Sequence, residues 1–215
     1  MDSWVLVPCQ RSRLDLLHRL LDSLDHSRDR VVVVATQPDP LTPDDVAGRA
    51  NHVVSYPTTE QHISRWWNAG LEYIADIAQV NHEVLAISSD YVGTNYSVAV
   101  LGVFLRQHDL SMAGPDHHTA QARFFRKEDH RGFYDRVPGP CWMVKGELGL
   151  RVDTNFRWWY SDDDLEMQAR QLGPVGVIPD TGLIPGPDSP LSEEKTIWAT
   201  EDRARYVAKW SREPW

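Results

Sequence analysis

Apolar residues follow two rhythms along the chain. Trp4–Val7 and Val31–Ala35 are short unbroken apolar runs, and turn formers follow each at Pro8 and at Thr36-Gln37-Pro38-Asp39-Pro40. Runs of this kind mark strands covered on both faces. Between them Leu14, Leu17, Leu20, Leu21 and Leu24 recur at three- and four-residue spacings, which predicts a helix with one apolar face. Val53-Val54 predicts a short third strand. Ile63, Trp67, Leu71, Ile74 and Ala78 predict a helix over about 60–78, and Val84–Ile87 a central strand ending at the polar stop Ser88-Ser89-Asp90.

The second half alternates in the same way. Ser97–Gln107 reads as a helix, and Leu110–Ala113 as an edge strand before Gly114-Pro115. Residues 116–136 are polar but carry Phe124, Phe125, Phe133 and Tyr134, which predicts either a pair of strands or a flap. A rigid Pro138-Gly139-Pro140 turn introduces a buried strand at Cys141–Val144. A helix beginning near Asp162 uses Leu165, Ala169 and Leu172 as its inner stripe and stops at Gly173-Pro174. Val175–Ile178 is a last strand, 179–190 a Gly/Pro-rich hinge or lid, and Ser192 to about Trp210 a terminal helix. The pattern predicts an α/β architecture, a mixed central sheet flanked by helices.

Composition narrows the functional classes. At 215 residues the expectation is one domain, 1–215, with a single substantial core. The formal charge of −9 argues against a nucleic-acid backbone or an anionic membrane as partner. It leaves room for an anionic small ligand whose charge a divalent cation offsets. Nine tryptophans favour planar binding surfaces. Cys9 and Cys141 have neither disulfide-framework nor zinc-site spacing, so two buried thiols in a reducing compartment are expected. With neither a signal-peptide pattern nor a membrane-spanning run, the expected localisation is cytoplasmic, without stable membrane insertion.

The candidate chemistry centres on Trp158-Trp159-Tyr160-Ser161-Asp162-Asp163-Asp164. Clustered carboxylates repel one another and need a cation, donors or solvent, although acids in a first helical turn also meet the free N–H groups and the dipole. Both a capped helix and a reactive cluster fit, and side chains about 100° apart cannot all share one site. Asp90 lies where a strand of an open α/β sheet meets its ligand crevice, although an Asp also initiates a turn well. Magnesium or manganese uses one or two carboxylates when phosphate and water complete the shell, which implies a nucleotide diphosphate.

In this order the features resemble a minimal family 2 glycosyltransferase with the A-type nucleotide-diphospho-sugar transferase fold, over roughly residues 3–182. Val5-Leu6-Val7-Pro8-Cys9-Gln10-Arg11-Ser12-Arg13 matches the strand and loop that receive the nucleotide. Asn68-Ala69-Gly70-Leu71 resembles the family's Asn-x-Gly-Leu helix, and Ser88-Ser89-Asp90 its Asp-x-Asp element, with Ser88 in place of the first acid. Pro138-Gly139-Pro140-Cys141 resembles the segment lining the donor sugar. Tyr160-Ser161-Asp162-Asp163-Asp164-Leu165 resembles Glu-Asp-x-Asp-Leu, with Ser161 replacing the Glu.

The resemblance implies inverting transfer of a sugar from a nucleotide-diphospho-sugar, expected to be UDP-linked, to a glycan, protein or small-molecule hydroxyl. It makes Asp162 the base, with Asp163 as alternate. Pro8, Gln10, Arg11, Arg13, Gln37, Asn68, Ser88, Ser89, Asp90 and Gly139 are expected on the donor, and Trp142, Trp158, Trp159 and Tyr160 on the acceptor. Lys145 is a candidate for neutralising the leaving group. The Mg2+ or Mn2+ ligands would be Asp90 and, in place of a histidine the family often supplies, Asp180. His117-His118 reads as an exposed loop. The chain would divide into a nucleotide-binding half over about 1–115, an acceptor half over about 116–190 and a C-terminal helix over about 191–215. Ser88 and Ser161 keep open a non-catalytic nucleotide-sugar or glycan-binding module, and a sugar-phosphate nucleotidyltransferase uses similar parts.

Overall fold

Eight strands and five helices are present in a computed structural model that describes residues 2–129, 132, 134–186 and 192–214. The strands are β1 (Asp2–Cys9), β2 (Val31–Ala35), β3 (His52–Ser55), β4 (His82–Ile87), β5 (Met112–Pro115), β6 (Arg123–Phe125), β7 (Cys141–Lys145) and β8 (Val175–Ile178). The helices are α1 (Leu14–Leu24), α2 (Ile63–Ile77), α3 (Ser97–Gln107), α4 (Ser161–Leu172) and α5 (Glu193–Trp210). One sheet holds every strand, in the order β3-β2-β1-β4-β7-β5-β8-β6. Phe133 and the end of the Gly/Pro-rich stretch, Pro187 to Leu191, lie outside the described residues.

Strand alternation sorts the core into two layers. Val5, Val7, Val31 and Val33 face α1 and α3, where Leu17, Leu20, Leu101 and Leu105 meet them. Leu6, Val32 and Val34 face the other way, against Trp66, Trp67, Leu71 and Ile74 of α2 and Leu165 and Ala169 of α4. Gly70 is where α2 comes down on β1, and a methyl there would overlap the Leu6 side chain. The packing role of Gly70 follows directly from that approach. A third, smaller cluster of Phe156, Met167 and Tyr206 fastens α5 to α4.

Strand order decides where a ligand meets the fold. The chain steps from β1 through β2 to β3 on one side, then crosses to β4 on the other, all four strands parallel. The sheet therefore reverses its winding between β1 and β4, the position at which open α/β sheets leave a crevice beyond the carboxyl ends. β7 then runs antiparallel to both β4 and β5, so β4, β5 and β8 all end on one rim while β7 begins there. This corrects the edge expected for 110–113. β5 is interior, between β7 and β8, and the half-buried β6 within 116–136 takes the edge.

Candidate active site

At that rim a cavity of about 300 Å3 opens between the end of β4, the turn before β7 and the start of α4. Ser88, Gly139 and Pro140 line it together with Trp67, Trp158, Trp159 and Tyr160 and the acids Asp162 and Asp163. Ser88 is tied to the turn before β7 by its N–H, which donates to the Pro140 carbonyl at 2.8 Å. A methyl at Gly139 would lie 2.8 Å from the carboxyl carbon of Asp162, so a larger residue there would push that side chain aside.

Helix α4 separates the three acids by direction. It begins at Ser161, one residue before the predicted start, after Tyr160 turns the chain in the left-handed region at φ 59°. Asp162 is half-buried and lines the cavity. Asp163 is buried on the cavity wall and takes Arg136 Nη1 at 3.1 Å. Asp164 points into the protein, accepting from Trp210 Nε1 at 2.8 Å, Gln168 Nε2 at 2.7 Å and Lys209 Nζ at 2.8 Å. The triplet thus supplies one carboxylate to the open cavity, one held in an ion pair, and one internal anchor. Burial, with help from the Asp163 charge, pushes the Tyr160 phenol up from its ordinary value.

The aromatic wall is held by a residue that sequence reasoning missed. Asp202 on α5 is fully buried, and its carboxylate accepts the backbone N–H of Arg157, Trp158 and Trp159 at 2.9 to 3.2 Å. Arg205 Nη1 completes the set at 2.6 Å. A carboxylate receiving several backbone donors is a strong anchor, and this one fixes the tryptophans before any ligand does. Trp159 Nε1 also donates to the Lys195 carbonyl at 3.0 Å, while the Lys195 ammonium lies 4.1 Å from the centre of the Trp158 ring. Burial, then the Arg13 charge, holds the Lys195 pKa below its ordinary value.

Other expected site residues fall into three groups. At the β1–β4 crevice, Arg13 Nη1 is 3.6 Å from Asp90, and Gln10, Pro8 and Gln37 are half-buried near the strand ends. Ser89 is buried, and the Cys9 thiol, which donates to the Gln10 carbonyl at 3.2 Å, is pushed up by burial to about 11. A second group serves the scaffold. Arg11 spans Asp39, Asp45 and the Pro40 carbonyl, a clasp that holds the Asp45 carboxyl well below the usual carboxylate range. Asn68 joins α2 to the following layer by a two-way bond with the Val152 backbone, at 2.8 and 2.9 Å.

The third group lies away from the expected surface. Trp142 is 1% exposed and packs edge-on against Trp67, so it has no face for an acceptor. Its strand is covered on both sides, which is why an aromatic there went inward. Lys145 pairs with Asp109 at 2.5 Å and lies opposite Glu83, at the far end of the sheet from the rim. That register removes it from a leaving group.

The metal expectation meets a thin ligand set. Among the described residues, no group of three His, Cys, Asp or Glu side chains gathers. Asp180 is exposed on a left-handed turn at φ 54°. Asp90 stands beside Arg13 at the crevice. Such a set fits a cation held chiefly by phosphate oxygens of a ligand, with Asp90 as its protein carboxylate, and does not form a cage made by the protein alone. Among the described residues, no helix is long and apolar enough to cross a membrane.

Solved structures share this fold. The crystal structure of S. aureus TarS 1-349 superposes with a TM-score of 0.64 at 14% identity, over 97% of this chain and 72% of that one. The complex of the same protein with UDP-GlcNAc gives 0.63 at 16% identity, over 89% of this chain and 60% of that chain. Mannosyltransferase PcManGT from Pyrobaculum calidifontis, in complex with GDP-Man and Mn2+, gives 0.65 at 16% identity, over 99% of this chain and 64% of that one. At this identity the likeness establishes the fold, and the chain spans less than two thirds of either ligand-bound structure. No protein-family model matches the chain, and no curated protein matches it by sequence.

Proposed function

We propose that the chain transfers a sugar from a nucleotide-diphospho-sugar to a hydroxyl acceptor with inversion. The observation that carries the reading is the Asp162 carboxylate, set against Gly139 in an aromatic-walled cavity at the carboxyl rim of β4. It is joined to a fold shared with structures solved in complex with UDP-GlcNAc and GDP-Man. Those two nucleotides differ in base, so the donor is proposed only as a nucleotide-diphospho-sugar. The donor half is about 1–115 and the acceptor half about 116–190.

In this reading the nucleotide lies over the β1–β4 crevice, with Arg13 and Asp90 near its diphosphate. Asp162 accepts the acceptor's hydroxyl proton as the oxygen bonds to the anomeric carbon. The bond from that carbon to the phosphate oxygen breaks, and its electron pair leaves with the nucleoside diphosphate. Mg2+ or Mn2+, when bound, offsets charge on that diphosphate, with Asp90 as its protein ligand. The tryptophans that line the cavity keep water from the reacting atoms and suit the C–H faces of a sugar.

Asp162→Asn tests the base. Transfer should fall by about 10²–10⁴-fold while nucleotide binding, followed by thermal shift with nucleoside diphosphates, is retained. Full transfer activity in that variant would remove Asp162 from the role. A binding module without turnover is the second reading, motivated by Ser88 and the buried Ser161 where acids are expected. Nucleotide-sugar binding without release of nucleoside diphosphate, over a broad acceptor panel, would select it.

A further inference from the structure

A second cavity, of about 170 Å3, lies on the same rim beyond the ends of β5 and β8, and the two cavities meet at Arg136. His117, His118 and Tyr134 line it, with Pro138 closing the side nearest Gly139. We infer that this cavity receives the acceptor, and that the acceptor presents a neutral, hydroxyl-rich saccharide ring. The inference rests on the transfer reading above and assigns that reaction its second substrate.

The loop is built to present its side chains. Asp116, 9% exposed, accepts from the N–H of His118 at 2.8 Å, from the Thr119 hydroxyl at 2.6 Å and from Arg123 Nη2 at 2.9 Å. These bonds consume the carboxylate and fix the backbone, while among the described residues neither imidazole makes a hydrogen bond. His118 stands 4.5 Å from Tyr134, ring centre to ring centre, and His117 is 6.4 Å from Tyr91. The result is two imidazoles and an aromatic face beside a cavity, the mixture that binds sugar hydroxyls and sugar C–H surface together.

Charge selects a neutral ring over an anionic one. The Arg136 guanidinium is already bonded to Asp163. Burial, then the neighbouring His118, moves the His117 pKa below its ordinary value, so its imidazole is neutral at pH 7, one nitrogen donating and the other accepting. From this cavity a hydroxyl reaches toward Asp162 past Arg136 and the Pro138–Pro140 turn. The oxygen gains the anomeric carbon and loses its proton to Asp162, and the nucleoside diphosphate departs with the bonding pair.

The test uses the full chain, a panel of nucleotide-sugars, and methyl glycosides of several hexoses as acceptors. His118→Ala and Tyr134→Ala should each raise the glycoside KM by about tenfold, with glycoside-free hydrolysis of the donor changed by less than about twofold. An unchanged KM in both variants would overturn the inference. Sugar phosphates used in preference to methyl glycosides would overturn the neutral class. Absence of nucleoside diphosphate release by the wild type would count against the transfer reading alone. The cavity is then decided by ligand-observed NMR titration of the glycosides: about tenfold weaker binding in the variants upholds it, and equal or absent binding to wild type and variants refutes it.

Discussion

Asp202 concentrates more of the site's geometry in one side chain than any of the residues lining the cavity. Replacing it by alanine strips three backbone N–H groups, those of Arg157, Trp158 and Trp159, of a charged acceptor inside the protein. Arg205 also loses its partner, but its side chain is 44% exposed and rehydrates, so the cost falls mainly on the backbone donors. Hydrogen bonds to a charged group contribute about 1.5–3 kcal/mol each, and water recovers part of that at the half-buried loop. A loss of about 3–5 kcal/mol is expected, from about 1–3 kcal/mol for each of the three backbone donors left without an acceptor, less what water recovers. For a chain of this length that lowers Tm by about 6–20 °C. Asp202→Asn keeps one acceptor oxygen without the charge and should fall between wild type and alanine. Melting by circular dichroism gives the ranking, and tryptophan emission below the transition reports release of Trp158 and Trp159. An alanine variant melting within about 2 °C of wild type would refute the anchor.

Gly139→Ala should displace the Asp162 carboxylate and lower transfer by about 10²-fold, the cost of a misplaced reacting group. Nucleotide affinity measured in parallel should hold, and unimpaired turnover would contradict the contact. His62 is buried with Nδ1 unpartnered among the described residues, and burial, then Arg65, depresses its pKa from the ordinary 6.5. The unfolded chain therefore protonates first, so its contribution is complete above pH ~6.5 and is lost as pH falls through the lower folded value. Wild type should lose more Tm between pH 7.5 and 5 than His62→Gln, and parallel curves would dismiss the effect. Both thiols are buried and both are pushed up by burial, Cys9 to about 11. Ellman's reagent at pH 8 should titrate neither in the native protein and both after denaturation.

Much of the layering was legible because burial writes itself into spacing. The stripe of α1, the unbroken runs of β1 and β2 and the polar stop after β4 each follow from one face or two being covered. Strand order was not legible. Nothing local in Cys141–Lys145 states that it runs antiparallel between β4 and β5, and that direction puts Lys145 at the end of the sheet away from the rim, while cover on both faces of the strand takes Trp142 into the core. Asp202 was hidden for a different reason. It stands in Glu201-Asp202-Arg203-Ala204-Arg205, which reads as a solvated helical face, and its partners are backbone N–H groups more than 40 residues away. The Asp triplet was easier, since helical geometry alone forbade all three from sharing one direction.

Arg136 borders both cavities and is bonded to Asp163, which lines the larger of the two. A single side chain is therefore a party wall, and a substitution there alters two compartments at once. Retuning either compartment alone has to proceed through residues it does not share, Tyr134 and His118 on one side and Trp158 to Tyr160 on the other. Neutral drift at position 136 is correspondingly confined, while the two sets of unshared residues can diversify independently.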